Sequence, residues 1–199
     1  MMVNFKYALD QCSGDFVALC EGDDFWTDLY KLQKQVDFLE QNPEFSICFH
    51  KVSILENEQI TEDIINKNTP EITSIKDLAQ KNYMHTPSVV YRNGLIDEFP
   101  DYFVKSPIGD YFLHMLNAKK GLIKFINQDM AVYRVHNSSY WSSKKQRERE
   151  LVWIDFINHL KVYFPADIQK ILNKQILKIE YKAAKGFKRW LLKLRYMLG

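Results

Sequence analysis

Phe16-Val17-Ala18-Leu19-Cys20-Glu21-Gly22-Asp23-Asp24-Phe25-Trp26-Thr27-Asp28 is the stretch that decides how this chain is read. Its first five residues form an unbroken apolar run of strand length. Such a run suits a strand covered on both faces, as in a parallel sheet. Three carboxylates then fall within four residues, at the carboxyl end of that strand. Crowded carboxylates repel one another unless a cation offsets them. Hard oxygen ligands suit Mg2+ or Mn2+, and the carboxyl ends of strands are where open α/β sheets bind ligands. On these residues alone, a solvated acidic turn capping the next helix accounts for the tetrapeptide equally well.

Working outward, 4–11 reads as a short helix stopped by Ser13-Gly14. Thr27 or Asp28 is placed to cap a helix running to about Gln41, with Leu32, Val36 and Leu39 as its apolar face and Asn42-Pro43 as its end. Ser46-Ile47-Cys48-Phe49-His50 is a second strand, so the opening is helix, strand, helix, strand, an α/β order. Residues 55–70 are polar and read as an excursion loop, followed by a short helix at 75–81 and a strand at 88–91. A helix is expected at 110–119, short strands at 122–126 and 130–135, then helices at 145–163, 166–185 and 186–198.

The chain has 199 residues, 46% hydrophobic and 26% charged, which excludes disordered, collagen-like and low-complexity classes. With 7 Gly and 6 Pro it does not resemble an all-β fold of many tight turns. No apolar run reaches bilayer-spanning length, and the opening residues lack the apolar stretch of a signal peptide. Cys12, Cys20 and Cys48 make no disulfide framework and no zinc spacing; Cys20 and Cys48 lie in apolar runs and are expected to be buried thiols. A cytoplasmic location follows as the expectation.

The net charge of +2 hides an asymmetry: 181–199 carries six basic residues and no acid, which leaves −4 on the rest. Phe187, Trp190, Leu191, Leu194 and Leu198 form an apolar stripe within that basic tail. A basic amphipathic helix over 186–198 suits an anionic membrane surface, and docking on the chain's own helices is the equal alternative. Nucleic acid is not an expected partner, because the body is acidic and no recognition motif is present.

The segment Phe16 to Glu40, FVALCEGDDFWTDLYKLQKQVDFLE, strongly resembles the family 2 glycosyltransferases of the GT-A fold. In that family a strand delivers a DxD-type acidic motif, an aromatic pair, Thr-Asp and a Lys-Leu-x-x-Gln helix. Here these are Glu21-x-Asp23 with Asp24, Phe25-Trp26, Thr27-Asp28 and Lys31-Leu32-x-x-Gln35. Gly109-Asp110-Tyr111-Phe112-Leu113 resembles the family's acidic helix start, and Tyr133-Arg134-Val135-His136 its YRxH closing motif. Taken singly, Asp110 is an ordinary helix N-terminal acid favoured by the dipole and His136 a surface histidine after a strand. In combination the three motifs keep the family's order, with 86 residues from Asp24 to Asp110 and 26 from Asp110 to His136.

The resemblance covers about residues 4–143. It implies a partial GT-A domain over 1–143, Rossmann-like with a mostly parallel sheet, followed by a helical extension over 144–199. It implies that Asp23 and His136 hold Mn2+ or Mg2+, that Glu21 and Asp24 touch the donor or the metal shell, and that Asp110 is the general base. His85, Thr86 and Trp141 fall on the expected acceptor side. Trp26 is expected in the core, with a place in the sugar pocket as the alternative; the remaining histidines are expected to be structural. The implied activity is metal-dependent, inverting transfer from a nucleotide-sugar to a glycan or lipid-linked acceptor, in surface polysaccharide biosynthesis. The resemblance also implies a fragment, because the family's first, nucleotide-recognising strands are not matched. A non-catalytic remnant or a module that binds a membrane or a partner is the alternative reading.

Overall fold

The computed structural model describes residues 2–136 and 144–184. In chain order the elements are α1 (Met2–Asp10), β1 (Phe16–Ala18), β2 (Phe25–Trp26), α2 (Lys31–Gln41), β3 (Phe45–Glu56), β4 (Gln59–Glu62), β5 (Ile72–Thr73) and α3 (Ile75–Leu78). They continue with β6 (Val90–Arg92), α4 (Gly109–Ala118), β7 (Leu122–Val135), α5 (Gln146–Leu160) and α6 (Ala166–Ala183). The architecture is mixed α/β with helices at its carboxyl end.

The seven strands form one sheet in the order β1-β6-β3-β7-β2, with β4 paired to β3 and β5 to β7. The expected mostly parallel sheet is not what forms. Among the described residues only β3 and β7 run parallel, and the other five pairings are antiparallel. An apolar run reports that both faces of a strand are covered; it does not report the direction of its neighbours. In β3 the run is covered on both sides: Ile47 and Phe49 enter the main core, whereas Phe45 and Cys48 enter a second one under α2 with Leu39 and Val90.

The main core lies under α1, α3, α4, α5 and α6, where Tyr111, Phe112, Leu113, Phe156, Leu160 and Leu172 share a single apolar cluster. The helices after residue 144 are therefore packed into the same core as the sheet. On the opposite face, Gln35 in α2 donates through Nε2 to the carbonyls of Cys48 and Ser88, both at 2.8 Å. That one side chain ties the helix to β3 and to the 3-10 turn at Thr86–Ser88.

Several local expectations are corrected. The helix after the acidic turn begins at Lys31, with Tyr30 and not Thr27 or Asp28 at the N-cap; Asp28 instead accepts from the Tyr30 amide at 2.7 Å. Strands expected at 122–126 and 130–135 are one strand, and the expected gap survives as a register shift, where His50 pairs with Ile126 and Lys51 with Asp129. The 55–70 excursion contains a hairpin, β3–β4, whose tip residues Asn57 (φ 50°) and Glu58 (φ 64°) are both left-handed. Cys48 is buried as expected, but Cys20 is exposed, because β1 ends at Ala18 and Cys20 opens onto the acidic turn. Gly121 is required where α4 returns to the sheet: a Cβ there would lie 2.7 Å from the Glu44 carbonyl oxygen.

No helix among the described residues is long and apolar enough to cross a membrane. The basic segment 186–198 lies outside the described residues.

Candidate functional site

The acidic turn is built between β1 and β2. Beyond β1 the chain stays tied to the sheet, with the Leu19 amide donating to the Val89 carbonyl at 3.0 Å. It then folds back, the Asp24 amide donating to the Glu21 carbonyl at 3.2 Å, and enters β2, where Phe25 pairs with Val132 and Trp26 with Ala131 of β7. This pairing lays the turn beside the end of β7, 110 residues away along the chain.

Three contacts lock the two segments. The Arg134 amide donates to Asp24 Oδ1 at 2.8 Å, the Arg134 guanidinium donates through Nε to the Asp23 carbonyl at 2.9 Å, and His136 Nε2 meets Asp23 Oδ2 at 2.7 Å. Glu21, Asp23 and Asp24 each present a carboxylate oxygen within 4.8 Å of the others. Asp24 is only 9% exposed, and its second oxygen, Oδ2, is buried without a hydrogen-bond partner among the described residues.

The electrostatics match this crowding. Glu21 keeps solvent contact, yet its carboxyl is pushed up to about 7, first by protein atoms displacing water around it and then by Asp110, Asp24 and Asp23. Burial pushes Asp24 up to about 6; the Arg134 amide opposes this and Asp23 adds to it. Asp110, in the first turn of α4, is thus within electrostatic reach of Glu21, although 89 residues separate them. Tyr133 is raised too, by burial first and then by Glu21, Asp24, Asp110 and Asp23, so its phenol feels the same four acids.

The structure therefore brings together Glu21, Asp23, Asp24 and His136 from two separate stretches of chain, with Asp110 of α4 within electrostatic reach. His85 stands next to them: its ring centroid lies 4.6 Å from that of Tyr133. Thr86 is buried in the adjoining 3-10 turn. Trp141 lies outside the described residues. Trp26 is not a core residue as expected: it is 37% exposed, donates through Nε1 to the Pro87 carbonyl at 3.0 Å, and carries the Lys31 ammonium 4.3 Å from its ring centre.

A divalent cation fits these residues. An orphaned buried carboxylate oxygen and two neighbouring carboxylates are hard donors of the kind Mg2+ and Mn2+ take, and His136 stands beside them on Asp23. Two contributors escaped sequence reasoning. Arg134 belongs to the Tyr133-Arg134-Val135-His136 motif but is given no role there; its spacing by two from His136, the period that puts both on one side of a strand, was a usable signal. Asp63, which holds His85, sits in the polar excursion, where no periodicity marks it.

No protein-family model matches the chain. It is 39% identical over 142 residues to uncharacterized proteins of Mycobacterium tuberculosis (strains H37Rv and CDC 1551) and Mycobacterium bovis. Each alignment takes in 70% of this chain and 40% of the relative, so the chain spans about 40% of the length of the curated relatives it matches.

Proposed function

We propose that this chain carries the metal-binding and acceptor-side part of a family 2 glycosyltransferase of the GT-A type. It would transfer a sugar with inversion from a nucleotide-sugar to a hydroxyl of a glycan or lipid-linked acceptor, as in surface polysaccharide assembly. The observation that carries the reading is the cluster of Glu21, Asp23 and Asp24, with His136 held on Asp23, Asp110 within electrostatic reach of Glu21, and Asp24 Oδ2 buried without a hydrogen-bond partner among the described residues.

Glu21, Asp23 and Asp24, with His136, are the residues that would hold Mg2+ or Mn2+. When bound, such a cation offsets charge on the departing nucleoside diphosphate. Asp110 takes the proton from the acceptor hydroxyl as its oxygen forms a bond to the anomeric carbon. The bond from that carbon to the diphosphate breaks, its electron pair leaves on the diphosphate, and the new bond lies on the opposite face. Arg134 fixes the acidic turn through its amide and its guanidinium. A peripheral place at the inner membrane surface, through the basic tail, belongs to the same proposal.

The alternative, a non-catalytic binding module, is separated by Asp110→Asn. In nucleoside-diphosphate release from a nucleotide-sugar panel with Mn2+, run on the protein that contains this chain, the transferase reading expects turnover to fall about a hundredfold or more with the fold kept. Equal turnover in the variant overturns Asp110 as the base. Absence of turnover in every donor and metal combination favours the binding module.

A further inference from the structure

We propose that Asp63 and His85 form a hydroxyl-binding subsite beside the carboxylate cluster, in which His85 Nδ1 accepts a hydrogen bond from a sugar hydroxyl of the acceptor. The inference rests on the transferase reading for the identity of that ligand, and on geometry alone for the subsite.

Asp63 is 4% exposed, and both of its carboxylate oxygens are engaged: Oδ1 accepts from the Ile65 amide at 2.9 Å and Oδ2 meets His85 Nε2 at 3.2 Å. Burial would raise its pKa, but the His85 and Ile65 hydrogen bonds overcome this and hold the carboxyl below its ordinary value. An ionised carboxylate accepts only, so Nε2 of His85 carries the proton and donates it. In the neutral ring the lone pair then falls on Nδ1, which makes no hydrogen bond among the described residues and is not sealed from solvent. The tautomer is thus set by a buried acid that has no other free oxygen.

The ring itself is clamped. The His85 carbonyl accepts from the Ser88 amide at 3.0 Å and from Ser88 Oγ at 2.7 Å, and the Ser88 carbonyl is held by Gln35 from α2. On its other side the imidazole lies on Tyr133, whose neighbours along β7 are the residues that lock the acidic turn. A fixed imidazole with a lone pair at a known atom, placed next to a cluster of carboxylates, is built to receive a neutral donor. An anion would meet repulsion from the four acids, whereas a hydroxyl meets none. Asp63 is a positioning residue in this scheme, acting only through His85.

The test is long-range 1H–15N correlation of the histidine imidazoles in the full chain with Mg2+, assigned with His85→Gln, and titrated with a panel of methyl glycosides. The expected spectrum shows His85 protonated at Nε2 and bare at Nδ1, and the Nδ1 resonance moves with at least one glycoside. Asp63→Asn is expected to mix the tautomers and to raise the glycoside midpoint about tenfold. A purely structural pair would change stability and leave the glycoside response flat. A proton on Nδ1 in the wild type, or an Nδ1 resonance that no glycoside moves, overturns the subsite; both are read on the wild type, so an unfolded variant does not block the answer. Mn2+ binding at the acidic turn is measured on the same protein. Its absence would sink the transferase reading, while the His85 tautomer and glycoside response decide the subsite separately.

Discussion

His50 and His114 are sealed inside the molecule, and burial pushes their imidazoles down to about 3 and about 4. At the acidic turn the carboxyls of Glu21 and Asp24 move the other way, up to about 7 and about 6. Charge is costly in both regions, but they have different exits. An interior histidine sheds its proton and stays neutral. The turn gathers like charges, with α4 adding Asp110 to the acids that follow β1, so it must either bind protons or bind a cation. Lys31 makes the contrast sharper still. It is a cation 1% exposed, its ammonium has no hydrogen-bond partner, and burial lowers it to about 8. The interior thus holds its ionisable groups one by one, while the turn gathers several carboxyls whose charge protons or a cation can offset.

The largest expected effect breaks the interior and spares the turn. Phe112 is fully buried and packs on Phe103 and Phe156, so Phe112→Ala should cost about 3 to 5 kcal/mol in urea unfolding, with metal affinity of the folded fraction unchanged. A comparable loss of metal affinity would mean that the two regions are one cooperative unit.

Next comes pH, where the two regions have opposite signs. The histidines are depressed when folded, so between about pH 4 and 6.5 the unfolded chain binds protons that the folded chain does not. Stability should therefore fall by a few kcal/mol, as an order of magnitude, as pH drops through that window. The carboxyls are raised when folded, so their contribution is full below about pH 4 and is lost as pH climbs from there through about 6 to 7. Because the two windows overlap, the opposing trends should largely cancel and leave melting temperatures nearly flat across pH 4–8, and Mn2+, by removing the carboxyl trend, should expose a rise with pH. The smallest effect lies at the hairpin tip. Glu58→Gly relieves a left-handed residue and should add about 0.5 kcal/mol of stability, measured by urea midpoint.

Much of this contrast was legible in the sequence. The strand leading into Glu21-Gly22-Asp23-Asp24, the apolar face of α2 and the helix after Gly109 all carry local patterning, and they form close to where they are read. The joining of Asp110 and His136 to the turn was readable only through the resemblance, because residues so far apart along the chain carry no shared local signal. Strand direction was not readable, since coverage of both faces says nothing of orientation. Cys20 was misplaced because β1 ends two residues earlier than its apolar run, and Trp26 because it sits in the short strand β2, whose two residues are both exposed. The Asp63–His85 pair needs the folded excursion to exist at all.

The most direct test is Mn2+ binding followed by electron paramagnetic resonance, on wild type and on Asp24→Asn with matched circular dichroism. The account predicts stoichiometric Mn2+ binding that Mg2+ displaces, weakened about tenfold or more in the variant, whose single change touches the buried unpartnered oxygen. Failure of the wild type to bind Mn2+, or equal affinity in Asp24→Asn, would contradict the claim that the acidic turn is a divalent-cation site.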